Sequence, residues 1–322
     1  MSRAVACANI ALAKYWGKSD VALNLPAVPS LSLTLEGLET HTEVTLTDAS
    51  IDEVVLDGTI ASEKETKRVT KMLDRVRALA GSERRARVVT ENRFPTASGL
   101  ASSASGFAAL AGAACAAYGV DADEALLSRL ARAASASAAR SIFGGFARLP
   151  AGVPDDDSLA ASPLFGPEHW DVRLVIALAT SGRKKIGSTE GMERSRLTSP
   201  FYAAWVEAAP KLEAQIAEGV AERDIHLVGQ RMEESTLAFH ACAMASSPAV
   251  LYLAPTTLAV LERVRALREE GVAAYATMDA GPHVKILCEA HDEARVVRAA
   301  SEVPGVIRVQ SCKPGPGIRI EP

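Results

Sequence analysis

The strongest constraint on this chain is the run Phe94-Pro95-Thr96-Ala97-Ser98-Gly99-Leu100-Ala101-Ser102-Ser103-Ala104-Ser105-Gly106, where nearly every side chain after the proline is small. Backbone N–H groups in such a run can approach an anion closely. The run feeds a helix expected from about Ser102 to Ala117, and a helix N-terminus concentrates unpaired donors and partial positive charge. Ser102 and Ser103 add hydroxyls suited to phosphate oxygens or a magnesium ion. The run is neither GxxxxGKS/T nor GxGxxG. Taken alone, it describes a tightly packed helix start equally well.

The surrounding pattern mixes two periods. Leu31-Ser32-Leu33-Thr34-Leu35 and Thr42-Glu43-Val44-Thr45-Leu46 alternate, predicting half-buried strands, and 53–56 predicts a third that runs into a tight turn at Asp57-Gly58. Helices are expected over 63–80, with charges on one face, and over 123–134. Strands are expected over 141–149 and 172–180; the second is nearly continuous apolar and so should be central. The intervening 150–167 is rich in Pro, Gly, Ser and Asp and reads as a surface loop. Beyond 181 the pattern gives helices over 201–218, 222–243 and 257–270. Strands over 273–278 and 284–289, a helix over 292–301 and a last pair of short strands follow. Strands and helices are segregated, so the expected class is α+β with antiparallel sheets and helices packed on them. The expected division is 1–181 and 182–322.

Bulk properties narrow the function. A net charge of -4 over 322 residues argues against nucleic acid as a partner. No run of about 18 uncharged apolar residues predicts a membrane span. The opening MSRAVACANIALAK carries no signal-type cleavage site. Cys7, Cys115, Cys242, Cys288 and Cys312 are scattered without a CxxC pair, which fits a reducing cytoplasm and argues against structural zinc. The six histidines show no metal-ligand spacing.

Three clusters suit chemistry on an anionic substrate. Asp279 sits where an apolar strand meets Ala-Gly-Pro, a turn that presents a carboxylate at a strand end or merely opens the turn. Arg140 offers two parallel donors to a planar anion, and Ser135 and Ser137 would share a side if that stretch is extended. Asn9, Lys14, Tyr15 and Lys18 could neutralise phosphate, or could be solvated lysines flanking Tyr-Trp packing. Arg183, Lys184 and Lys185 read as a solvated run, Asp155-Asp156-Asp157 as an acidic loop, and His283 as a packing or tuning residue beside the Asp279 turn.

The 94–106 run resembles the ATP-binding loop of the galactokinase, homoserine kinase, mevalonate kinase and phosphomevalonate kinase (GHMP) superfamily. Within it, the form here is most similar to the diphosphomevalonate decarboxylases. Four further segments agree in order: 9–18 (NIALAKYWGK), 135–145 (SASAARSIFGG), 187–192 with 198–200, and 278–282 (MDAGP). The resemblance implies a two-domain GHMP-kinase-like fold, with an ATP-binding N-terminal domain. It implies ATP-dependent decarboxylation of mevalonate 5-diphosphate to isopentenyl diphosphate through 3-phosphorylation, with Mg2+, in a cytoplasmic homodimer. Residue by residue, it places Asp279 at the substrate hydroxyl and Arg140 with Asn9 at the carboxylate. Tyr15, Lys18, Ser135 and Ser137 fall at the diphosphate, with Lys14 close to substrate, and Ser188 and Thr189 near a substrate phosphate. Ser98, Gly99, Leu100, Ala101, Ser102 and Ser103 fall at ATP, the last two also at magnesium. One departure stands out: Val28 and Pro29 occupy places that are commonly Asn and Ser in the family. Decarboxylation of the 5-monophosphate, or a kinase that stops at the 3-phosphate, remain alternatives.

Overall fold

The structure is a computed structural model that describes residues 1–94, 102–179 and 186–321. Its first sheet grows around two long antiparallel strands, β1 (Ser2–Ala13) and β4 (Ser30–Thr47), paired from Ser2↔Val44 to Ala13↔Leu31. A small ribbon, β2 (Lys18–Asp20) and β3 (Leu25–Pro26), lies between them in the chain. The two alternating segments expected at 31–35 and 42–46 are the two ends of one strand. In its first half, Leu31, Leu33 and Leu35 enter an apolar core shared with the second sheet. Ser30, Ser32 and Thr34 are also fully buried, on the opposite side, because successive side chains of a strand alternate.

Strands β5 (Glu53–Leu56) and β6 (Thr59–Ile60) form the expected hairpin, with Asp57 and Gly58 at φ 48° and 77° as a two-residue turn of that hand requires. Helix α1 (Glu63–Ala80) starts in a capping box between Ser62 and Glu65 and stops at Gly81 in the left-handed region. β7 (Arg85–Asn92) pairs antiparallel with β4 and parallel with β5. Helix α2 (Ser102–Tyr118) is buried on nearly every side from Ala104 to Cys115, which its alanine content allows. Asp123 caps α3 (Glu124–Ala134) through the Leu126 N–H.

Residues 136–142 form a 3-10 turn (Ala136–Ile142), so only β8 (Phe146–Leu149) of the strand expected over 141–149 is extended. β8 pairs with β4 and with β9 (Ser162–Phe165), a short strand inside the expected surface loop.

The second sheet has the order β11-β12-β10-β13, all antiparallel: β11 (Tyr275–Met278), β12 (Val284–Glu289), β10 (Val172–Leu178) and β13 (Arg308–Cys312). Helices α5 (Tyr202–Glu222) and α6 (Ile225–Met244) cover the face shared with β1 and β4. Helices α7 (Pro255–Glu269) and α8 (Glu293–Ser301) cover the other. A strand covered on both faces must be apolar on both, and β10 is. It nevertheless belongs to the second sheet although it precedes 181, and the final strand β14 (Arg319–Glu321) returns to pair with β1. The second sheet thus takes its first strand from Val172 onward, and the last strand of the chain belongs to the first sheet. Helix α4 (Ser188–Thr198) was not anticipated; only Gly191, Met192 and Ser195 of it are buried, too few to leave a periodic signal.

Helix α6 carries the contacts that fix the second sheet against the end of β1. Ser235 accepts from the Lys14 N–H at 3.0 Å, and Thr236 is 2.9 Å from Thr277 on β11. Close approach rests on Gly229, where an added Cβ would lie 2.0 Å from the Tyr275 ring. Gly229→Ala gains about 1 kcal/mol of helix propensity but forces overpacking that costs about 1–3 kcal/mol. Urea denaturation should show a lower midpoint with an unchanged slope.

Candidate active site

One cleft of about 1430 Å³ runs between the halves. Cavities for a single drug-sized ligand span about 300–1,000 Å³, so this one has room for two. Its lining brings together Asn9, Lys14, Tyr15, Lys18, Ser102, Ser103, Ser135, Ser137, Arg140, Ser188, Thr189 and Asp279. These are the expected site residues, apart from Ser98, Gly99, Leu100 and Ala101, which lie outside the described residues, as do Arg183, Lys184 and Lys185.

Asp279 leaves the end of β11 with its side chain 28% exposed, and each of its oxygens receives one ammonium. Lys14, just past β1, donates to Oδ1 at 2.7 Å; Lys285, near the start of β12, reaches Oδ2 at 2.9 Å. The two lysine side chains are 3% and 1% exposed, so the ammoniums sit within the wall. Burial pushes the Asp279 carboxyl up, but Lys14 and Lys285 outweigh it and hold the group well below the usual carboxylate range. Burial lowers Lys14 to about 8, with Asp279 opposing and Lys285 adding to the fall. Behind them His240, 1% exposed, is lowered to about 3 by burial and then by Lys14, so its ring is neutral.

Arg140 leaves the 3-10 turn and is 1% exposed, unlike an arginine fraying at a helix end. Nε donates to Ser32 Oγ at 2.9 Å, Nη1 to Ser30 Oγ, and Nη2 lies 3.5 Å from Asn9 Oδ1. Asn9 in turn donates to the Ser137 carbonyl at 2.9 Å and to Ser141 Oγ at 2.8 Å, fixing its amide. Burial lowers the Arg140 pKa to about 10, leaving it charged at neutral pH. No carboxylate pairs with it among the described residues. A buried guanidinium with no carboxylate in direct contact among the described residues, lining a cleft, is arranged to receive an anion.

Ser135 and Ser137 line the cleft, yet not by strand alternation: Ser135 caps the turn in an extended conformation and Ser137 lies within it. Lys18 is lowered by burial and then by Arg68 and Lys71. Those two belong to a stripe of Lys64, Arg68, Lys71 and Arg75 on α1 that lines the same cleft; spacings of four, three and four place them on one helix face. The Tyr15 hydroxyl is buried without a hydrogen-bond partner among the described residues.

Lys285, Ser30, Ser32 and the α1 stripe were not singled out from the sequence. Lys285 did leave a signal, a lone charge within the apolar Val284–Cys288. Val28 faces an apolar cluster with Trp16, Trp205 and Phe239, so the departure there leaves the Arg140 cradle whole. His283 is 1% exposed, and its Nδ1 accepts from the Ala179 N–H at 3.1 Å. Asp157 pairs with Arg75 and Arg132 instead of forming an open acidic site. No group of three or more His, Cys, Asp or Glu residues suited to a metal ion occurs among the described residues. A cation here would be held jointly by ligand phosphates and hydroxyls such as those of Ser102 and Ser103.

Residues 6–160 match the family model for the diphosphomevalonate decarboxylase-like N-terminal domain, and 174–311 that for the mevalonate 5-diphosphate decarboxylase C-terminal domain. The diphosphomevalonate decarboxylase of Candida albicans is 32% identical over 343 residues, covering 96% of this chain and 94% of that one. The crystal structure of mevalonate diphosphate decarboxylase from Staphylococcus aureus superimposes with a TM-score of 0.95 at 37% identity, covering 100% and 98% of the two chains. MDDEF, solved in complex with MVAPP, AMPPCP and magnesium, gives 0.93 at 38% identity, covering 100% and 99%.

The triad makes a linkage prediction. Lys14 titrates at about 8 in the fold against 10.5 unperturbed, so between these values the unfolded chain binds more protons and stability rises with pH. Asp279→Asn removes the carboxylate that raises Lys14, driving its pKa lower and widening that window. Relative to the parent, the variant should lose most stability near neutral pH and recover as pH rises toward 10, read by urea denaturation at several pH values.

Proposed function

The chain belongs to the diphosphomevalonate decarboxylase family, and from that premise we propose that it converts mevalonate 5-diphosphate and ATP to isopentenyl diphosphate, ADP, phosphate and carbon dioxide. The observation that carries the reading is that the ionised Asp279 and the uncompensated guanidinium of Arg140 line one cleft.

Expelling carbon dioxide from a 3-hydroxy acid requires the tertiary hydroxyl to become a leaving group. The hydroxyl oxygen attacks the terminal phosphorus of ATP and ADP departs. The C3–O bond then breaks, phosphate leaves and positive charge develops at C3. Cleavage of the bond between C2 and the carboxyl carbon supplies the electrons for the C2–C3 alkene and releases carbon dioxide. Arg140, held by Ser30, Ser32 and Asn9, receives the substrate carboxylate in a fixed fork. Asp279 accepts a hydrogen bond from the hydroxyl and aims its oxygen. With both carboxylate oxygens already taking ammonium protons, it is a poor base, so its contribution is orientation and stabilisation of positive charge at C3. The hydroxyl proton leaves with phosphate or to solvent.

Tyr15, Lys18, Ser135 and Ser137 take the diphosphate, with Ser188 and Thr189 at its edge. Lys18 beside Arg68 and Lys71 supplies more positive charge than one phosphate needs, which favours the diphosphate over the monophosphate. ATP falls to the start of α2, with Ser102, Ser103 and the preceding 98–101. Magnesium, when bound with ATP, lowers the charge on the transferred group, and MDDEF held magnesium with a nucleotide analogue and MVAPP. We place the protein in the cytoplasm, which its five unpaired, buried cysteines support, and assign it a homodimer on the family resemblance.

The test measures ADP and carbon dioxide separately with the mevalonate 5-diphosphate and the 5-monophosphate. Equal yields of both products with the diphosphate are expected; ADP alone would mean a kinase, and neither product would refute catalysis. Asp279→Asn should lower turnover about a hundredfold or more with substrate affinity near normal. Arg140→Lys keeps the charge and loses the fork, so it should be severely impaired; an active Lys variant removes the clamp from the mechanism.

A further inference from the structure

We propose that Lys285 is a positioning residue that grips the second oxygen of Asp279 from behind the cleft wall and so fixes the plane of the carboxylate that faces the substrate. The proposal rests on the reading of Asp279 given above.

Lys285 is the second residue of β12, between Val284 and Ile286, both in the core beneath α7 and α8. Its own side chain projects to the opposite face, beside its cross-strand partner Thr277, and is 1% exposed. Its one ionic partner among the described residues is Asp279. Burying an ammonium at such a place is costly, and an apolar side chain of similar volume commonly gives a more stable protein. A strand residue serving only the fold would therefore be apolar here. Lys285 is also absent from the cleft lining, whereas Lys14 and Asp279 are part of it. It acts through Asp279, not on substrate.

The geometry says what the grip achieves. One hydrogen bond from Lys14 would leave the carboxylate free to turn about its Cβ–Cγ bond. A second, from the other side at 2.9 Å, fixes that angle. Each carboxylate oxygen has two acceptor positions, so one on each remains for the cleft. A hydroxyl docking there meets an acceptor of fixed direction, and misaimed acceptors cost rate steeply.

The charged and titratable groups around Asp279 are Lys14 from β1, Lys285 from β12, His240 from α6 and Arg140 from the 3-10 turn. Lys285 favours the ionised Asp279 and disfavours protonated Lys14. Removing its charge therefore raises both, and both limbs of a pH–rate profile should move upward together. Local unfolding has no reason to produce that joint displacement.

The experiment compares the parent enzyme with Lys285→Met and Lys285→Arg, measuring kcat, both KM values and the pH profile of kcat from ADP and carbon dioxide release. The Met variant should lose about tenfold or more in kcat with both KM values within about twofold. Its two limbs should lie at higher pH, and Arg should restore most of the rate and the parental limbs. Limbs that stay in place, or an Arg variant as impaired as Met, overturn the proposal. Should Lys285→Met not fold, Lys285→Gln takes its place in the same comparison. A 13C NMR titration of the aspartate carboxyls, with Asp279 assigned through Asp279→Asn, reads the grip without turnover. The Asp279 resonance should titrate at higher pH in the Met variant; an unchanged midpoint overturns the grip. If the parent releases neither ADP nor carbon dioxide, the functional reading fails while the titration still decides the role of Lys285.

Discussion

One carboxylate shared by two buried ammoniums, Asp279 between Lys14 and Lys285, is the interaction on which the rest depends. Lys14 arrives at the end of the first sheet's β1, while Asp279 and Lys285 arrive on β11 and β12 of the second. The triad therefore forms only when the sheets dock, and docking is the work of the apolar faces of β1 and β4 against α5, α6 and the second sheet. Hydrophobic burial supplies the energy, at roughly 25 cal/mol per Å², and ionic contacts set the register. Two buried lysines with a single acid add little net stability by themselves. What they fix is the carboxylate of Asp279, one oxygen to each ammonium.

Strand β4 shows how one short sequence serves both purposes. Leu31, Leu33 and Leu35 enter the core between the sheets, while Ser32 and Ser30 hold the Arg140 guanidinium. A shift of one residue would put hydroxyls in the core and leucines against the arginine. The pairing of Ser30 with Leu149 and of Leu31 with both Ala13 and Arg148 resists that shift from two sides. Arg140 is thus positioned by a strand whose register the hydrophobic effect enforces.

This division explains what the sequence could and could not reveal. Alternation along β4, the Asp57-Gly58 turn and the apolar run of β10 are local patterns, and each produced the expected element. The sheet that β10 joins is decided by partners more than a hundred residues away, Val284–Glu289 and Arg308–Cys312, and an apolar strand carries no mark of its neighbours. Ser135 and Ser137 reach the cleft through a 3-10 turn that their spacing did not foretell, because the same spacing in a strand would also have put them on one side. Asp279 and Arg140 stood out through the family resemblance, because a turn-opening aspartate and an arginine ending a helix are equally good local readings of the same residues. Lys285 did not, since a lone lysine in an apolar strand gains meaning only once its acid, six residues earlier, is seen across the turn.

The residues of the cleft wall carry an unbalanced charge. Lys14, Lys285 and Arg140 are buried against the single carboxylate of Asp279, and Lys18 with the α1 stripe adds further cations at the rim. Water replaces little of the missing counter-charge at side chains 1–3% exposed. Gathering these buried cations is therefore costly to the fold, a cost proteins accept where function demands it. On the proposed reading, anions that enter the cleft recover this electrostatic energy, and a carboxylate at Arg140 recovers most because no carboxylate pairs with that guanidinium among the described residues. When carbon dioxide leaves, the group that matched Arg140 is gone and the guanidinium is again without a counter-charge. On that reading the site binds the acid better than the alkene, so the same buried cation that captures substrate also favours release of the hydrocarbon end of the product.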